Sequence, residues 1–211
     1  YIRYGTSSIE ANGEQLDQLR AMSAKVPFDD RGNDSISFDD ISLGQLRDYL
    51  VKIGTQLAQH VGRDPIEDIL GSINLLVGPV ERRHIKNVAA MMFCEQPDKF
   101  FPYSQVEIVF FPEGRENNPD NMTEAPVIKG TVPHMITATL DYLRTNVIKE
   151  RIIKVRDRQE PVRFFNYPYA ALEESVTNSL YHRDYKLYEP VEITIEPNRI
   201  SILSYSGPDR S

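Results

Sequence analysis

Residues 169–184 read Tyr-Ala-Ala-Leu-Glu-Glu-Ser-Val-Thr-Asn-Ser-Leu-Tyr-His-Arg-Asp and follow Tyr167-Pro168. Proline suits the first turn of a helix, where its missing N–H costs nothing. Leu172, Val176 and Leu180 then recur every fourth residue, the spacing of one side of an α-helix, so that side is expected to be buried. Glu174, Asn178 and His182 make a second line at the same spacing, expected to stand beside the buried stripe. Spacing alone leaves two readings open, a partly exposed polar face or a site. The site reading has a definite chemistry. An Asn side-chain carbonyl is a neutral oxygen ligand for Mg²⁺, and a carboxylate one turn away can orient and deprotonate a water for attack on a γ-phosphate.

Downstream, Val191, Ile193 and Ile195 alternate, Pro197-Asn198-Arg199 makes a turn, and Ile200 and Ile202 continue on a second strand. Ser204 to Pro208 then turns at Gly207. Upstream, Met135, Ile136, Thr139, Leu140, Leu143 and Val147 mark the packed side of a long helix from Val132 to about Glu150. Val106, Ile108 and Phe110 read as a strand buried on both faces, or beside one that is, and Val88 to Phe93 is a continuous apolar core run. Ser42 and Gln45 form a capping-box pattern ahead of an apolar stripe at Leu43, Leu46, Leu50, Ile53 and Leu57, closed by Gly62. Asp64-Pro65-Ile66-Glu67 opens another helix, with Asp64 as its cap. Tyr1 to Tyr4 reads as a strand whose sheet is expected upstream, followed by a helix from about Glu14 to Lys25. Pro112 to Pro126, rich in Asn, Pro and acids, is expected to be mobile, and Arg156 to Glu160 reads as a linker. The whole is α+β in three parts: 1–35, 36–160 and 161–211.

With 211 residues the chain is long enough to bury a core without staples, and its one cysteine, Cys94, sits in an apolar run as a core residue. No apolar run approaches a bilayer span and no signal core opens the chain, so a cytoplasmic protein is expected and the sequons at Asn33 and Asn121 are chance matches. The chain is also expected to be a piece of a longer protein, since it lacks an initiating Met and stops just after a strand. A net charge of −7 argues against non-specific binding to phosphate backbones. Charge is uneven, with seven basic residues against three acidic ones between Arg144 and Arg163, read as a solvated helix end and linker. The two short helices could belong to a winged-helix DNA reader, but Glu67 and Asp68 make the candidate recognition helix acidic. Asp29 and Asp30 lack a calcium-loop ligand series and read as turn residues.

The order of helix with Glu-x-x-x-Asn, hairpin, then Gly-containing loop resembles the opening half of the GHKL ATPases. More closely, Phe164-Phe-Asn-Tyr-Pro-Tyr-Ala-Ala-Leu-Glu-Glu, Asn178 with His182-Arg183-Asp184-Tyr185, and Ile200-Ser-Ile-Leu-Ser-Tyr-Ser-Gly-Pro-Asp-Arg-Ser211 are similar to the bacterial RecG-related ATP-binding proteins, also described as transcriptional regulators. Tyr1-Ile-Arg-Tyr-Gly-Thr-Ser-Ser8, Pro27-Phe-Asp-Asp-Arg31, Asn87-Val-Ala-Ala90 and Lys99-Phe-Phe-Pro102 resemble further landmarks of that group. The resemblance implies ATP and Mg²⁺ as ligands, Glu174 as general base and Asn178 as the metal ligand, with His182, Arg183 and Gly207 near the nucleotide. It also implies DNA contact through an upstream Schlafen-type, AlbA-like domain, of which residues 1–8 would be the last strand.

No Gly-Lys-Ser/Thr phosphate loop is present, so helicase activity is not implied. His182-Arg183-Asp184 imitates a kinase catalytic loop, but Glu189 stands where that motif needs Asn and no Gly-rich loop precedes it. Tyr205 stands where GHKL proteins usually carry an Asp that reads the adenine amino group. Two further readings therefore stay open: a scaffold with a degenerate nucleotide site, and a homo-oligomerising core whose terminal strands leave unpaired edges.

Overall fold

The computed structural model describes residues 26–153 and 162–205, the strands at 2–4 and 7–9, and residues 13 and 16. The expected helix from Glu14 to Lys25, the linker from Arg156 to Glu160 and the Gly207 turn lie outside those residues. The fold is α+β, as the alternating periodicities imply. It divides into two compact units that change over between Phe100 and Phe101.

In the first unit β1 (Ile2–Tyr4) pairs antiparallel with β2 (Ser7–Ile9), Tyr4 opposite Ser7. The first strand thus has a partner in the next strand of the chain. There follow β3 (Gly32–Asn33), α1 (Leu43–Lys52), α2 (Ile66–Ser72), β4 (Leu76–Val77), β5 (His84–Lys86) and α3 (Asn87–Phe93). The three strands form an antiparallel sheet in the order β3-β5-β4. Leu46, Leu50, Ile69, Leu70, Ile85, Ala89, Ala90 and Phe93 are buried, and Cys94 joins this core. Leu43, the first residue of α1, and Ile53, its C-cap, are exposed, because only the middle turns carry the buried residues Leu46 and Leu50. Asp64 does not cap α2; Pro65 does, and the Asp64 carboxylate instead lies 2.7 Å from His60 Nδ1. The apolar run from Val88 to Phe93 is helical, a choice that a short run without polar alternation leaves open.

The second unit holds β6 (Gln105–Phe110), β7 (Thr123–Glu124), β8 (Ile128–Lys129), α4 (Val132–Asn146), β9 (Glu150–Ile153), β10 (Val162–Phe165), α5 (Tyr169–Tyr181), β11 (Val191–Glu196) and β12 (Arg199–Leu203). Its main sheet runs β12-β11-β6, with β7 and β8 both on the far side of β6. β11 is parallel to β6, Ile193 opposite Ile108, and antiparallel to β12 through the expected turn. Residues before and after the boundary expected near residue 160 are hydrogen-bonded into one sheet by that parallel pairing. On either side of the residues left undescribed there, β9 pairs antiparallel with β10, Ile153 opposite Val162.

Val106, Ile108, Val191, Ile193 and Ile195 are buried, while the alternating Glu107, Val109, Glu192 and Thr194 are half-buried. The sheet thus seals one face fully, not two. Helices α4 and α5 pack on each other, with α4 against β6 and α5 against β12. The segment expected to be mobile, 112–126, is held by polar bonds instead of apolar burial. Glu113 accepts from Asn118 and Asn121 at 3.3 and 2.8 Å, and the Arg115 N–H donates to Glu196 at 3.0 Å. Among the described residues no helix is long and apolar enough to cross a membrane.

Candidate functional site

Helix α5 begins after Pro168, which is its N-cap residue, and ends at His182. Leu172, Val176, Ser179 and Leu180 are its buried residues. The Ser179 hydroxyl donates to the carbonyl of Val176, and the Ser179 carbonyl accepts from the Ser204 hydroxyl at 2.8 Å, pinning the helix beside the end of β12. Glu174, Asn178 and His182 are all exposed. This corrects their expected place beside the buried stripe. Each lies two residues beyond a buried Leu or Val, and at roughly 100° per residue that rotation carries it to nearly the opposite side of the helix.

Neither Glu174, Asn178 nor His182 has a side-chain hydrogen-bond partner among the described residues. For Asn178 this is unlike most asparagines of the chain. Asn33, Asn87, Asn117, Asn118, Asn121, Asn146 and Asn166 all spend their amides on neighbouring groups. An uncommitted amide carbonyl and carboxylate one turn apart form a donor set that suits a hard cation held otherwise by water and phosphate oxygens. Among the described residues no group of three or more His, Cys, Asp and Glu side chains could hold a metal without such help.

The second half of the motif is spent on structure. Arg183 is 5 % exposed. Its Nε and Nη2 donate to the carbonyl of Glu189 at 3.0 and 2.6 Å, and Nη2 also reaches the carbonyls of Tyr103 and Leu187 at 2.8 and 3.2 Å. The guanidinium carbon lies 4.8 Å from the centre of the Tyr185 ring. Burial pushes its pKa below the ordinary arginine value, opposed by Tyr185 and Asp184. Arg183, expected near a ligand, is thus buried with Nε and Nη2 bonded to main-chain carbonyls, while its Nη1 is buried without a hydrogen-bond partner among the described residues. Tyr185 is buried too, its hydroxyl donating to the carbonyl of Leu180 at 2.7 Å and its ring edge-on to Phe101. Gly207 lies outside the described residues.

The other landmarks are also braces. Asn87 donates through Nδ2 to the Phe28 carbonyl at 2.8 Å, accepts from Asn33 at 3.0 Å, and its N–H reaches the Arg31 carbonyl at 3.0 Å. Beside it Lys86 Nζ lies 3.0 Å from Asp30, so Asp30 is a structural turn residue. Lys99 binds Asp40 at 2.9 Å. Burial pushes the Cys94 thiol up, as for a core thiol. The pair His84 Nδ1 and Asp34, 2.5 Å apart, had no signal in the sequence, because fifty residues and a change of strand separate them.

No protein-family model matches the chain, and no curated protein matches it. Among solved structures it is similar to the DIP2311 protein of Corynebacterium diphtheriae, with a TM-score of 0.46 and 13 % identity over 91 % of this chain and 34 % of that one. The chain thus spans about a third of the length of that protein. A likeness of this degree transfers no function.

Proposed function

We propose that the second unit is the opening part of a GHKL-like Mg-ATP module in a cytoplasmic, RecG-related transcriptional regulator that meets DNA through a separate domain. The observation that supports this reading is the division of labour within one motif. Arg183 and Tyr185 are buried and bonded, whereas Glu174 and Asn178 are open and unbonded on one face of α5. Neither side chain is hydrogen-bonded within the fold among the described residues, so both can turn to a ligand. In this reading Asn178 supplies an oxygen to Mg²⁺, Glu174 activates water, and His182 borders the phosphates with the Gly207 turn.

A scaffold with a degenerate pocket is the second reading, and Tyr205 in place of the adenine-reading Asp favours it. Isothermal titration of the protein in its full natural length with Mg-ATP separates the two. Saturable heat that disappears in Asn178→Ala supports the nucleotide reading, and absence of heat with a folded protein leaves the scaffold.

A further inference from the structure

Helix α5 ends in rings. Tyr181 is its last residue and is 57 % exposed, and His182, the C-cap, is exposed as well. Tyr181 follows Asn178 by three residues and Glu174 by seven, spacings that put it on the same face as both, about one turn beyond the amide. The chain leaving β12 brings a third ring to this end. The Ser204 hydroxyl donates to the Ser179 carbonyl at 2.8 Å and the Asp184 N–H to the Tyr205 carbonyl at 3.2 Å, so the half-buried Tyr205 is held beside the last turn. Among the described residues, none of these three side chains makes a hydrogen bond or a ring contact.

Open rings next to an open amide and carboxylate suit a ligand that carries both a phosphate chain and a base. Stacking is tolerant of base identity, because every base has a π face, and a fused pair of rings covers more of a tyrosine than a single one. Telling adenine from guanine takes more, namely a fixed donor or acceptor that the wrong base would leave unpaired. The acid tethered to Tyr205 cannot serve. The Asp184 carboxylate accepts from the Lys186 N–H at 2.9 Å and lies 3.7 Å from Lys186 Nζ. The phenol hydroxyls and imidazole that remain can donate or accept: a phenol takes a hydrogen bond from the adenine amino group or gives one to the guanine carbonyl.

We propose that the Glu174–Asn178 face takes purine nucleoside triphosphates, ATP and GTP alike, and stacks the base on Tyr181 at the end of α5. This rests on the Mg-nucleotide reading and adds the base to it. Tyr181 distinguishes a nucleotide from a bare triphosphate chain, and nothing fixed at that end distinguishes adenine from guanine.

Isothermal titration of the protein in its full natural length with Mg-ATP, Mg-GTP, Mg-UTP and Mg-tripolyphosphate tests this. The Kd values for ATP and GTP are expected within about tenfold of each other, and UTP and tripolyphosphate are expected to bind more weakly than either. Tyr181→Ala is expected to weaken ATP and GTP together by about tenfold, and Tyr181→Phe, which keeps the π face, to stay within about threefold of the parent. Neither variant should change tripolyphosphate binding or the melting midpoint. A preference of more than about tenfold between ATP and GTP, UTP binding equal to ATP, or parental binding of both purines by Tyr181→Ala overturns the base assignment and leaves the Mg-nucleotide reading standing. Absence of heat with all four ligands overturns that reading, and the base assignment with it.

Discussion

Arg183 and Tyr103, eighty residues apart in sequence, are joined by a 2.8 Å hydrogen bond from the guanidinium Nη2 to the main-chain carbonyl. Tyr103 has a φ of 59°, a left-handed conformation that costs energy for a residue with a side chain. Arg183 thus fixes a strained turn just before β6 while tying it to the segment that leaves α5. Arg183→Met keeps much of the length but leaves the Glu189 and Leu187 carbonyls without their donor and takes one of two from the Tyr103 carbonyl. We expect a loss of about 2–4 kcal/mol in urea unfolding, and Arg183→Lys to recover little of it because an ammonium lacks the fork. A loss below about 0.5 kcal/mol would show that the clamp is idle.

Two asparagines offer a controlled comparison. Asn87 is buried and bonded at both ends of its amide; Asn178 is exposed and bonded at neither. Asn87→Ala should cost about 2 kcal/mol, because it strands the Asn33 amide and takes from the Phe28 carbonyl one of its two donors, the other being the Arg31 N–H. Asn178→Ala and Glu174→Gln should each stay within about 0.5 kcal/mol of the parent. Thermal melts of the three variants decide the matter, and a destabilised Asn178→Ala would assign that residue to the fold.

How far the sequence foretold this arrangement differs from element to element. Helix α5, helix α4 and the β11–β12 hairpin follow from local periodicity and turn residues, which the fold does not override. The β6–β11 pairing joins segments some eighty residues apart, on either side of the expected boundary, and no local pattern records that. The 112–126 segment looked mobile because its composition lacks apolar residues. Its order comes from Glu113 and Glu196, each gathering amide or guanidinium donors. At the candidate site, spacing identified Glu174, Asn178 and His182 but placed them beside the buried stripe. Arg183 was read as a ligand contact because a motif does not say which way each side chain turns.

Gly78 is predicted to resist substitution. Its φ is 102°, and a Cβ there would stand 2.5 Å from the main-chain oxygen of Arg82, which cannot swing aside as a side-chain tip can. Gly78→Ala combines an unfavourable backbone region with a collision, and we expect roughly 2 kcal/mol or more of destabilisation. Gly54, also at positive φ but with nothing within 4 Å of a Cβ, is the control, at about 1 kcal/mol. Equal losses at the two positions in urea unfolding would remove the steric part of this explanation.

Asp40 supplies a pH dependence whose sign can be worked out. Its hydrogen bonds from Lys99 and then from Ser37 lower its pKa from 3.8 to about 2. A carboxyl that holds its proton less tightly when folded stabilises the fold above its unfolded pKa, and that contribution fades as the pH falls through the folded value. The window is therefore from about pH 4 down to about pH 2, and the effect is modest, at most about 1 kcal/mol, because solvent screens the pair. The gap in unfolding free energy between the parent and Asp40→Asn should be constant above pH 5 and close as the pH approaches 2. Lys99→Met should shrink the same gap, since Lys99 is the largest cause of the shift. A gap that widens on acidification would mean that Asp40 stabilises the fold in its protonated form, and the ion pair would lose its assigned role.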